Sequence, residues 1–339
     1  MQSIRAEWTV RRKNVREDDA WLVSPKVIEL LKKLNGVLFD ALATGNPAVQ
    51  ELAAHLVSHG GKRLRPTLLL LAADFGESEE RSLLQAAAAL ELMHVASLYH
   101  DDVMDRAMRR RGALSVNFIW GNSLATVGGT FLFARACELL SELGQESNIF
   151  ASAAAVRLCT GQLQELENAF NVDLTMEDHL EILKAKTATL FQLPCQIGSQ
   201  LGGLDSSVAE PLLNFAERIG LAFQLMDDAL DFSGDSESMG KTTLSDIREG
   251  VYSSPILFTL QENGSSGTRI RELLKQNRVS ESDIEEIVEI IRGTGAVDST
   301  QRLAQELTES ASEYLKELPD CNSRTSLERL AGYCISRTH

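Results

Sequence analysis

Apolar residues recur along the chain three or four positions apart, with polar residues between them. Over residues 27–42 the apolar positions are Val27, Leu30, Leu31, Leu34, Leu38 and Leu42. Residues with this spacing lie on one face of an α-helix. The pattern therefore predicts an amphipathic helix whose apolar face packs against a core.

Start signals for helices occur in several parts of the sequence. A capping side chain followed by proline at the first helical position occurs at Ser24-Pro25 and Asn46-Pro47, and Ser254-Pro255 is predicted to open a further helix. Such a pair favours a helix start because the side chain accepts from the first N–H groups and proline needs no donor there. Thr175 with Asp178 and Ser280 with Asp283 resemble capping boxes.

Signals for β-hairpins are missing from the sequence. No turn dipeptide separates two alternating apolar runs, and roughly ten or more helices of ordinary length fit the chain. We therefore predict an all-α fold, in which residues 1–22 form a flexible arm and residues 23–339 form a single domain. The segment 262–268, ENGSSGT, is predicted to be a surface turn.

Charge and hydropathy narrow the class of protein. The net charge of −15 disfavours nucleic-acid binding, which relies on Lys and Arg to neutralise phosphates. No uninterrupted apolar stretch approaches the roughly 20 residues of a membrane span, and the amino terminus lacks a signal-peptide core. These observations predict a cytoplasmic protein without stable membrane insertion and without a nucleic-acid partner.

Two aspartate clusters of the DDxxD type follow apolar helical stretches. They are Asp101, Asp102 and Asp105 in LELMHVASLYHDDVMD (90–105), and Asp227, Asp228 and Asp231 in FQLMDDALDF (223–232). A solvated helix face could explain one cluster, but it explains poorly two clusters that apolar neighbours draw inward. Carboxylates without Cys or His suit Mg²⁺, which keeps waters and bridges to substrate phosphates. Clusters that face each other could hold a diphosphate through several metal ions.

Short basic motifs accompany the aspartate clusters. They are GGKRLRP at 60–66, RRRG at 109–112, KAKTATLF at 184–191 and MGKTTLSD at 239–246. Each one alone is typical of a solvated charge run. Glycines just before a helix start, however, favour anions because the backbone can approach them closely. An acidic protein with local cations beside metal-type carboxylates is predicted to bind two polyanions.

These motifs, in this order and spacing, resemble those of the trans-isoprenyl diphosphate synthases, also called polyprenyl synthetases. The similarity runs from about residue 25 to the carboxyl terminus. It implies helices around a central cavity, a homodimer, and Mg²⁺-dependent head-to-tail condensation of isopentenyl diphosphate with an allylic diphosphate. It also implies about three Mg²⁺ ions per active site, each bridging to diphosphate oxygens.

The resemblance assigns residue roles by motif. Isopentenyl diphosphate would be bound by Lys62, Arg65, His94 and Arg111. Mg²⁺ would be bound by Asp101, Asp105 and Asp227, assisted by Asp102 and Asp231. The allylic diphosphate would be bound by Arg110, Lys186, Thr187, Gln224 and Lys241. The catalytic residues would be Asp101, Asp105, Asp227, Lys186, Thr187 and Gln224.

The implied chemistry explains these residue types. Breaking the allylic C–O bond creates a carbocation and a diphosphate, so metal ions and cations must neutralise charge on the oxygens. The Thr187 hydroxyl and the Gln224 amide oxygen can face the carbocation without attacking it, and water must be excluded. No side-chain base is evident, and the resemblance implies that the departing diphosphate takes the proton. His94 lies on an apolar helix face, where a core histidine is the alternative interpretation.

The sequence departs from the family pattern at several positions. Leu114 and Ser115 stand where proline and threonine are frequent, Thr130 stands where an aspartate is frequent, and Val251 replaces a phosphate-binding lysine. None of these removes a metal ligand. They therefore bear on affinity and subfamily more than on the type of reaction.

Small side chains precede the first aspartate cluster. An allylic diphosphate anchored at Asp101 and Asp105 would extend its tail back along the helix, and one helical turn spans about 5.4 Å, close to one prenyl unit. The tail would pass Ala96 and Ser97 and then the deformable Met93. Bulky aromatics at the first-turn positions stop growth in short-chain members, so we predict a product longer than geranylgeranyl, of about six to eight prenyl units.

Other interpretations stay open. Phe131 or Phe133 could form a floor for the tunnel, or Ala96 and Ser97 could only permit close helix packing. The alternative product class is then farnesyl or geranylgeranyl diphosphate. A non-catalytic regulatory subunit should lose one aspartate cluster or its arginines, whereas this chain keeps both. A class I terpene cyclase has no need for GGKRLRP, and a head-to-head synthase would space its acidic residues differently.

Overall fold

The computed structural model describes residues 23–233, 246–262, 264–275 and 279–336. Most of these residues are helical. The helices are α1 (Pro25–Ala41), α2 (Pro47–Ser58), α3 (Leu64–Ala73), α4 (Glu80–Met104), α5 (Val116–Trp120), α6 (Asn122–Ser141), α7 (Gln145–Glu167), α8 (Met176–Leu183), α9 (Thr189–Leu201), α10 (Ser206–Ser233), α11 (Ser254–Gln261), α12 (Ser265–Leu274), α13 (Glu281–Thr294), α14 (Ala296–Lys316) and α15 (Asn322–Ser336). The predicted all-α class is confirmed, and the predicted arm, residues 1–22, lies outside the described residues.

Several helices begin at the predicted caps. The Ser24 hydroxyl accepts from the N–H of Val27 at 3.5 Å, and the Asn46 side chain accepts from the N–H of Ala48 at 3.0 Å. Ser280 and Asp283 form both bonds of a capping box. At Thr175 the hydroxyl accepts from the N–H of Asp178 at 3.1 Å. Each of these bonds satisfies an N–H group that the helix itself leaves unpaired.

Helix α11 begins at Ser254-Pro255 as predicted, with Ser253 as its cap, and both the N–H and the hydroxyl of Ser254 donate to the Asp228 carboxylate. One local prediction was wrong from residue 265 onward, because the predicted surface turn at 262–268 already contains the start of α12. Residue 267 of this helix is buried against α11, and a Cβ there would lie 2.6 Å from the Thr259 carbonyl oxygen. Glycine fits because it has no Cβ.

A short β-hairpin interrupts the helices where none was predicted. Strand β1 (Arg109–Arg110) pairs antiparallel with β2 (Ala113–Leu114). The two turn residues, Arg111 and Gly112, have φ of 52° and 75°. Positive φ at both central positions is the geometry of a tight type I′ hairpin turn, which Asn-Gly usually forms. The Arg-Gly pair carried no such signal in the sequence.

The chain divides into two compact units. The first comprises the chain up to Leu70 together with Ser78–Asn148, and the second comprises Leu71–Glu77 and the chain from Ile149 onward. The prediction that residues 23–339 form one domain stays a prediction.

Each unit has its own helical core. In the first unit α4 packs along α6 and α1, and in the second α10 packs along α14 and α9. Fully buried side chains include Leu34, Leu38 and Tyr99 in the first unit and Phe191, Phe215 and Phe232 in the second. The predicted apolar face of α1 is buried as expected, since burial of such a stripe stabilises a helix more than its intrinsic propensity does.

Helix α6 is, among the described residues, long and apolar enough to pass for a membrane span by length and composition. The core helix of a soluble protein passes the same test. The predicted absence of stable membrane insertion stays a prediction.

Candidate active site

The first aspartate cluster closes α4. Asp105 is the C-cap residue, and its N–H donates to the Asp101 carbonyl oxygen at 2.8 Å. The Asp101 side chain is half-buried and that of Asp105 is exposed. Carboxylates at a helix carboxyl terminus meet the negative end of the helix dipole, which is unfavourable without a nearby cation. The position therefore favours a bound cation.

Asp102 is placed differently from its two neighbours. Its side chain is fully buried, and its Oδ1 accepts from Arg110 Nε at 2.7 Å. Burial raises the pKa of the Asp102 carboxyl, although Arg110 acts in the opposite direction. The Oδ2 atom is buried and has no hydrogen-bond partner among the described residues. Asp102 thus ties the hairpin to α4 through one of its two oxygens.

A buried glutamate of α4, Glu91, lies among three arginines of the first unit. Arg63 Nη1 donates to Glu91 Oε1, and Arg111 Nη2 donates to the same oxygen at 3.3 Å. Two further bonds go to the end of α2. Arg63 Nη2 donates to the Val57 oxygen at 3.2 Å, and Arg111 Nη1 donates to the Leu56 oxygen at 3.2 Å. We call Arg63, Arg65 and Arg111 with Glu91 the arginine cluster. Glu91 was not among the predicted site residues; in the sequence it is a lone acid in an apolar helical run.

The arginine cluster carries more positive than negative charge. Burial lowers the pKa of Arg65 to about 10, although Glu91 acts in the opposite direction. Burial, together with Arg65 and Arg111, lowers the pKa of His94 well below its usual range, so this imidazole is neutral at neutral pH. The His94 Nδ1 atom is buried without a hydrogen-bond partner among the described residues. Three guanidinium groups against one carboxylate have the electrostatics of an anion site.

In the second unit, Lys186 and Thr187 lie in a π-helical turn, Lys184–Ala188, between α8 and α9. Glycines on two neighbouring helices allow this turn to be packed closely. A Cβ at Gly161 would lie 2.9 Å from the backbone nitrogen of Lys186, and one at Gly220 would lie 2.7 Å from the Cα of the last residue of the turn. Turns of this type occur mostly as single insertions and frequently at functional sites.

Thr187 and Gln224, two residues predicted to bind the allylic substrate, are in contact. The Thr187 hydroxyl donates to Gln224 Oε1 at 3.1 Å, and Gln224 Nε2 donates to Asp228 Oδ1 at 3.1 Å. Because the Gln224 nitrogen is bonded to a carboxylate, its oxygen must point the other way, toward Thr187. The chain of bonds fixes the orientation of both polar groups.

Asp228 is buried and engaged by the protein, as Asp102 is. Its Oδ2 accepts from the Ser254 hydroxyl at 2.8 Å, and His179 Nε2 lies 3.6 Å away. Burial raises the pKa of Asp228, but the contacts with His179, Gln224 and Ser254 outweigh it and the net direction is downward. Asp227 and Asp231, by contrast, are half-buried. The outer members of the second cluster are therefore the better candidates for a ligand.

Lys186 has an acidic neighbour, Glu165, that was not predicted from the sequence. Its Nζ lies 2.6 Å from Glu165 Oε2 on α7, and Gln162 Nε2 donates to the same oxygen at 3.0 Å. A cation assigned to a diphosphate is thus held by a carboxylate of the protein.

The carboxylates fit Mg²⁺ by their chemistry. Among the described residues no three His, Cys, Asp or Glu side chains are arranged to hold a metal ion by themselves. Mg²⁺ is bound in proteins through one or two carboxylates together with waters and substrate phosphates. The all-oxygen donor sets at Asp101 and Asp105 and at Asp227 and Asp231 match that mode, and the buried Oδ2 of Asp102 is a further oxygen donor.

A match to a protein-family model identifies the family of the chain. The model described as Polyprenyl synthetase matches residues 46–291. The chain belongs to this family. Its relatives are named prenyl diphosphate synthases, and this polyprenyl synthetase is a prenyltransferase.

Two curated relatives show the range of products in the family. The polyprenyl synthetase is 33% identical over 298 residues to nonaprenyl diphosphate synthase of Mycobacterium tuberculosis, covering 87% of this chain and 89% of that protein. It is 30% identical over 292 residues to heptaprenyl diphosphate synthase component 2 of Bacillus subtilis, covering 86% and 83%. The relatives thus agree on prenyl diphosphate synthesis and differ in product length.

Solved structures agree with this assignment. Geranylgeranyl pyrophosphate synthase from Lactobacillus brevis superposes with a TM-score of 0.87 at 30% identity, covering 92% of this chain and 98% of that one. A polyprenyl synthase from Caulobacter crescentus, complexed with calcium and isoprenyl diphosphate, gives a TM-score of 0.84 at 34% identity, with coverage of 91% and 95%.

The remaining predicted site residues of the polyprenyl synthetase are placed as follows. Lys62 is exposed in the loop before α3, and Lys241 lies outside the described residues. Of the chain-length residues, Met93 and Ala96 are buried, and the half-buried Ser97 donates its hydroxyl to the His94 carbonyl oxygen at 2.9 Å. All three lie on α4, on the amino-terminal side of Asp101.

Ala96 also lies where α4 and α6 approach each other closely. A Cβ at Gly129 of α6 would come within 3.1 Å of the Ala96 carbonyl oxygen and 2.6 Å of His100 Nε2. Close packing is therefore one reason for a small residue at position 96. Thr130, which replaces an aspartate of the family pattern, is exposed and donates to the Thr126 carbonyl oxygen at 3.0 Å.

The Glu165 contact leads to a testable expectation. We expect Glu165→Gln to lower the KM of the polyprenyl synthetase for the allylic substrate about two- to fivefold, because Lys186 no longer has to leave a carboxylate; partly exposed ion pairs contribute about 0.2–1 kcal/mol. Steady-state kinetics with farnesyl diphosphate measure the change. Glu167→Gln, an exposed position on the same helix, is the matched control. An unchanged or raised KM in Glu165→Gln would contradict the expectation.

Proposed function

We propose that this polyprenyl synthetase catalyses the Mg²⁺-dependent head-to-tail condensation of isopentenyl diphosphate with an allylic diphosphate, giving an all-trans polyprenyl diphosphate. The observation that carries the proposal is the arginine cluster, in which three guanidinium groups surround one buried carboxylate of the helix that ends in Asp101 and Asp105. Excess buried positive charge beside metal-type carboxylates suits a diphosphate that is bound partly through metal.

Asp101, Asp105 and Asp227 would hold Mg²⁺, with Asp102 and Asp231 assisting. The solved Caulobacter crescentus neighbour, complexed with calcium and isoprenyl diphosphate, supports a divalent cation in this role. When bound, about three Mg²⁺ ions per active site would neutralise the charge that develops on the departing diphosphate.

The two substrates would be bound by different cations. Isopentenyl diphosphate would lie against Lys62, Arg65, His94 and Arg111, where His94 is neutral and its Nδ1 atom has a free hydrogen-bonding position among the described residues. The allylic diphosphate would be bound by Arg110 and Lys186, with Thr187 and Gln224, and by Lys241. Arginine suits diphosphate oxygens because its planar fork donates two parallel bonds.

Thr187 and Gln224 would stabilise the carbocation. The Thr187 hydroxyl already donates a hydrogen bond to Gln224 Oε1, so the oxygen lone pairs of Thr187 are left to face positive charge. Neither group is a nucleophile at neutral pH. The proton released in the condensation would pass to the departing diphosphate, since no side-chain base is assigned to it.

A homodimer is the proposed assembly. Large apolar side chains are exposed on α6 of the first unit (Leu124, Val127) and on α7 of the second (Ile149, Val156, Leu163, Leu166). Three of the α7 residues are spaced seven apart, which places them on one stripe of a helix. An exposed apolar stripe on a helix, such as the one on α7, is typical of a protein–protein interface. The net charge of −15 supports a cytoplasmic protein that binds neither nucleic acid nor the membrane interior.

The proposed product is longer than geranylgeranyl and has about six to eight prenyl units. One prenyl unit of the tail would span about one turn of α4, roughly 5.4 Å. Support comes from the small side chains Ala96 and Ser97, followed by the deformable Met93. The relatives include both nonaprenyl and heptaprenyl synthases, whereas the Lactobacillus brevis neighbour is a geranylgeranyl pyrophosphate synthase.

Substituting phenylalanine at Ser97 should shorten the product. We expect Ser97→Phe to release geranylgeranyl or farnesyl diphosphate with turnover retained, because a ring at this half-buried position would block a tail that runs back along α4. Product chromatography after dephosphorylation measures the length, and Ser97→Ala is the control that keeps the position small. A wild type that stops at geranylgeranyl diphosphate, or an unchanged length in Ser97→Phe, would place the tunnel elsewhere.

A second candidate is a catalytic component that needs a partner subunit. The Bacillus subtilis relative, named component 2 of a heptaprenyl diphosphate synthase, favours it. Incubating the purified chain alone with labelled isopentenyl diphosphate, Mg²⁺ and geranyl, farnesyl or geranylgeranyl diphosphate separates the two. The proposed function predicts elongation of at least one primer by the chain alone. Its absence would contradict that function for the isolated chain and favour the component.

A further inference from the structure

We propose that Glu91 is a positioning residue, which through its bonds to Arg63 and Arg111 holds Arg111 of the isopentenyl diphosphate site in its binding orientation without touching the substrate. The inference rests on the proposed function of that site. Glu91 lies two helical turns or more before the aspartates of α4, it is buried, and one of its oxygens accepts from both Arg63 and Arg111. It thereby joins the loop before α3 to the hairpin that follows α4.

Both arginines that bond to Glu91 have unusual backbones. Arg63 has a φ of 51° and Arg111 a φ of 52°. Residues other than glycine are uncommon in this left-handed region and persist there when surrounding contacts hold them. Two separate loops in this conformation meet at one carboxylate. The bonds to Glu91 are contacts of the kind that can hold both loops.

The guanidinium group of Arg111 is fixed on several sides. Its Nη1 donates to the carbonyl oxygens of Leu56 and Gly60, and its Nη2 donates to Glu91. A Cβ at Gly61 would lie 3.1 Å from Arg111 Cζ, so the group also packs on a position that only glycine leaves open. No acceptor among the described residues pairs with the Arg111 Nε–H. Because both N–H groups of Nη1 and one of Nη2 are bonded to protein, Glu91 helps to decide where the Nε–H points.

The charge of Glu91 decides in which direction anion affinity changes when the carboxylate is removed. Burial raises the pKa of its carboxyl, but Arg63, Arg111 and Arg65 outweigh that effect and the group is ionised at neutral pH. A carboxylate that only repelled a bound diphosphate would, on removal, strengthen anion binding. A carboxylate that positions the arginines would, on removal, weaken it. The two roles therefore predict opposite changes.

Glu91→Gln tests the proposal because it keeps an acceptor oxygen and removes the charge. We expect the KM for isopentenyl diphosphate to rise at least tenfold, while the KM for farnesyl diphosphate changes less than twofold. Calorimetric affinity for inorganic pyrophosphate should fall at least tenfold. Arg271→Ala is the matched control, since Arg271 bonds to the carbonyl oxygens of Val172 and Leu260 in the second unit. It should lower the melting temperature and leave both KM values unchanged.

Several results would overturn the proposal. They are an unchanged KM for isopentenyl diphosphate, equal increases for both substrates, or tighter pyrophosphate binding in Glu91→Gln. If that variant does not fold, Glu91→Asp takes its place, because it keeps the charge and shortens the side chain. A wild-type affinity for pyrophosphate in Glu91→Asp would also overturn the proposal, and a tenfold loss would support it. If the wild type does not consume isopentenyl diphosphate, the proposed function fails, and pyrophosphate calorimetry still decides the role of Glu91.

Discussion

Turnover is expected to fall by about three orders of magnitude or more in Asp227→Asn, and equally in Asp101→Asn, with the helices still folded. Each tenfold loss of rate corresponds to about 1.4 kcal/mol of transition-state stabilisation, and charge neutralisation by a bound metal is worth several kcal/mol. Asparagine keeps the size of the side chain but loses the charge that attracts Mg²⁺. Both positions are half-buried, so the substitution leaves the core intact.

Measurement of kcat with and without EDTA, beside circular dichroism, tests this expectation. Asp320→Asn, an exposed aspartate in the loop before α15, is the matched control and should retain full activity. Asp228→Asn should behave differently, losing thermal stability because Ser254 and Gln224 lose a charged acceptor. Retained activity in Asp101→Asn or Asp227→Asn, or full wild-type activity in EDTA, would contradict the metal assignment.

A second pair of variants, Arg65→Ala and Lys186→Ala, is expected to lose affinity for different substrates. Arg65→Ala should weaken isopentenyl diphosphate binding by about 2 kcal/mol or more, roughly thirtyfold, and affect the allylic substrate little. Lys186→Ala should do the reverse. The physical reason is that a charge-assisted contact to phosphate is lost at a buried guanidinium in one case and at the π-helical turn in the other.

Initial rates at varied concentrations of each substrate measure the two effects. Arg81→Ala, at an exposed position of α4, is the control for Arg65→Ala. Lys184→Ala is the control for Lys186→Ala, since Lys184 lies in the same turn but pairs with Glu217 at 3.1 Å. Equal losses for both substrates in both variants would contradict the division into two sites.

Local sequence signals predicted much of the fold. The caps at Ser24 and Asn46 and the apolar face of α1 follow from contacts within a few residues, which a sequence shows directly. The hairpin after α4 was missed because Arg111 adopts positive φ in place of the usual asparagine, which long-range bonds to Glu91 and the end of α2 allow. The start of α11 at Ser254-Pro255 was predicted, but the bonds of Ser254 to Asp228, 26 residues away, were not.

The residue types of the candidate site could be predicted from the sequence, but not which of its aspartates are buried and bonded to protein side chains. The two aspartate clusters look alike in sequence, yet the middle member of each is buried and bonded to protein, by Arg110 in one case and by Ser254 in the other. Periodicity gives the face of a helix and not the partner that lies against it. The pairing of Lys186 with Glu165 was hidden for the same reason.

The most direct test of the central claim is a crystal structure of the chain with Mn²⁺ and a non-reactive allylic thiodiphosphate. We predict anomalous peaks about 2 Å from carboxylate oxygens of Asp101, Asp105 and Asp227, each peak also bonded to diphosphate oxygens. A diphosphate bound with no metal at these aspartates, or metal found only at other carboxylates, would contradict the account.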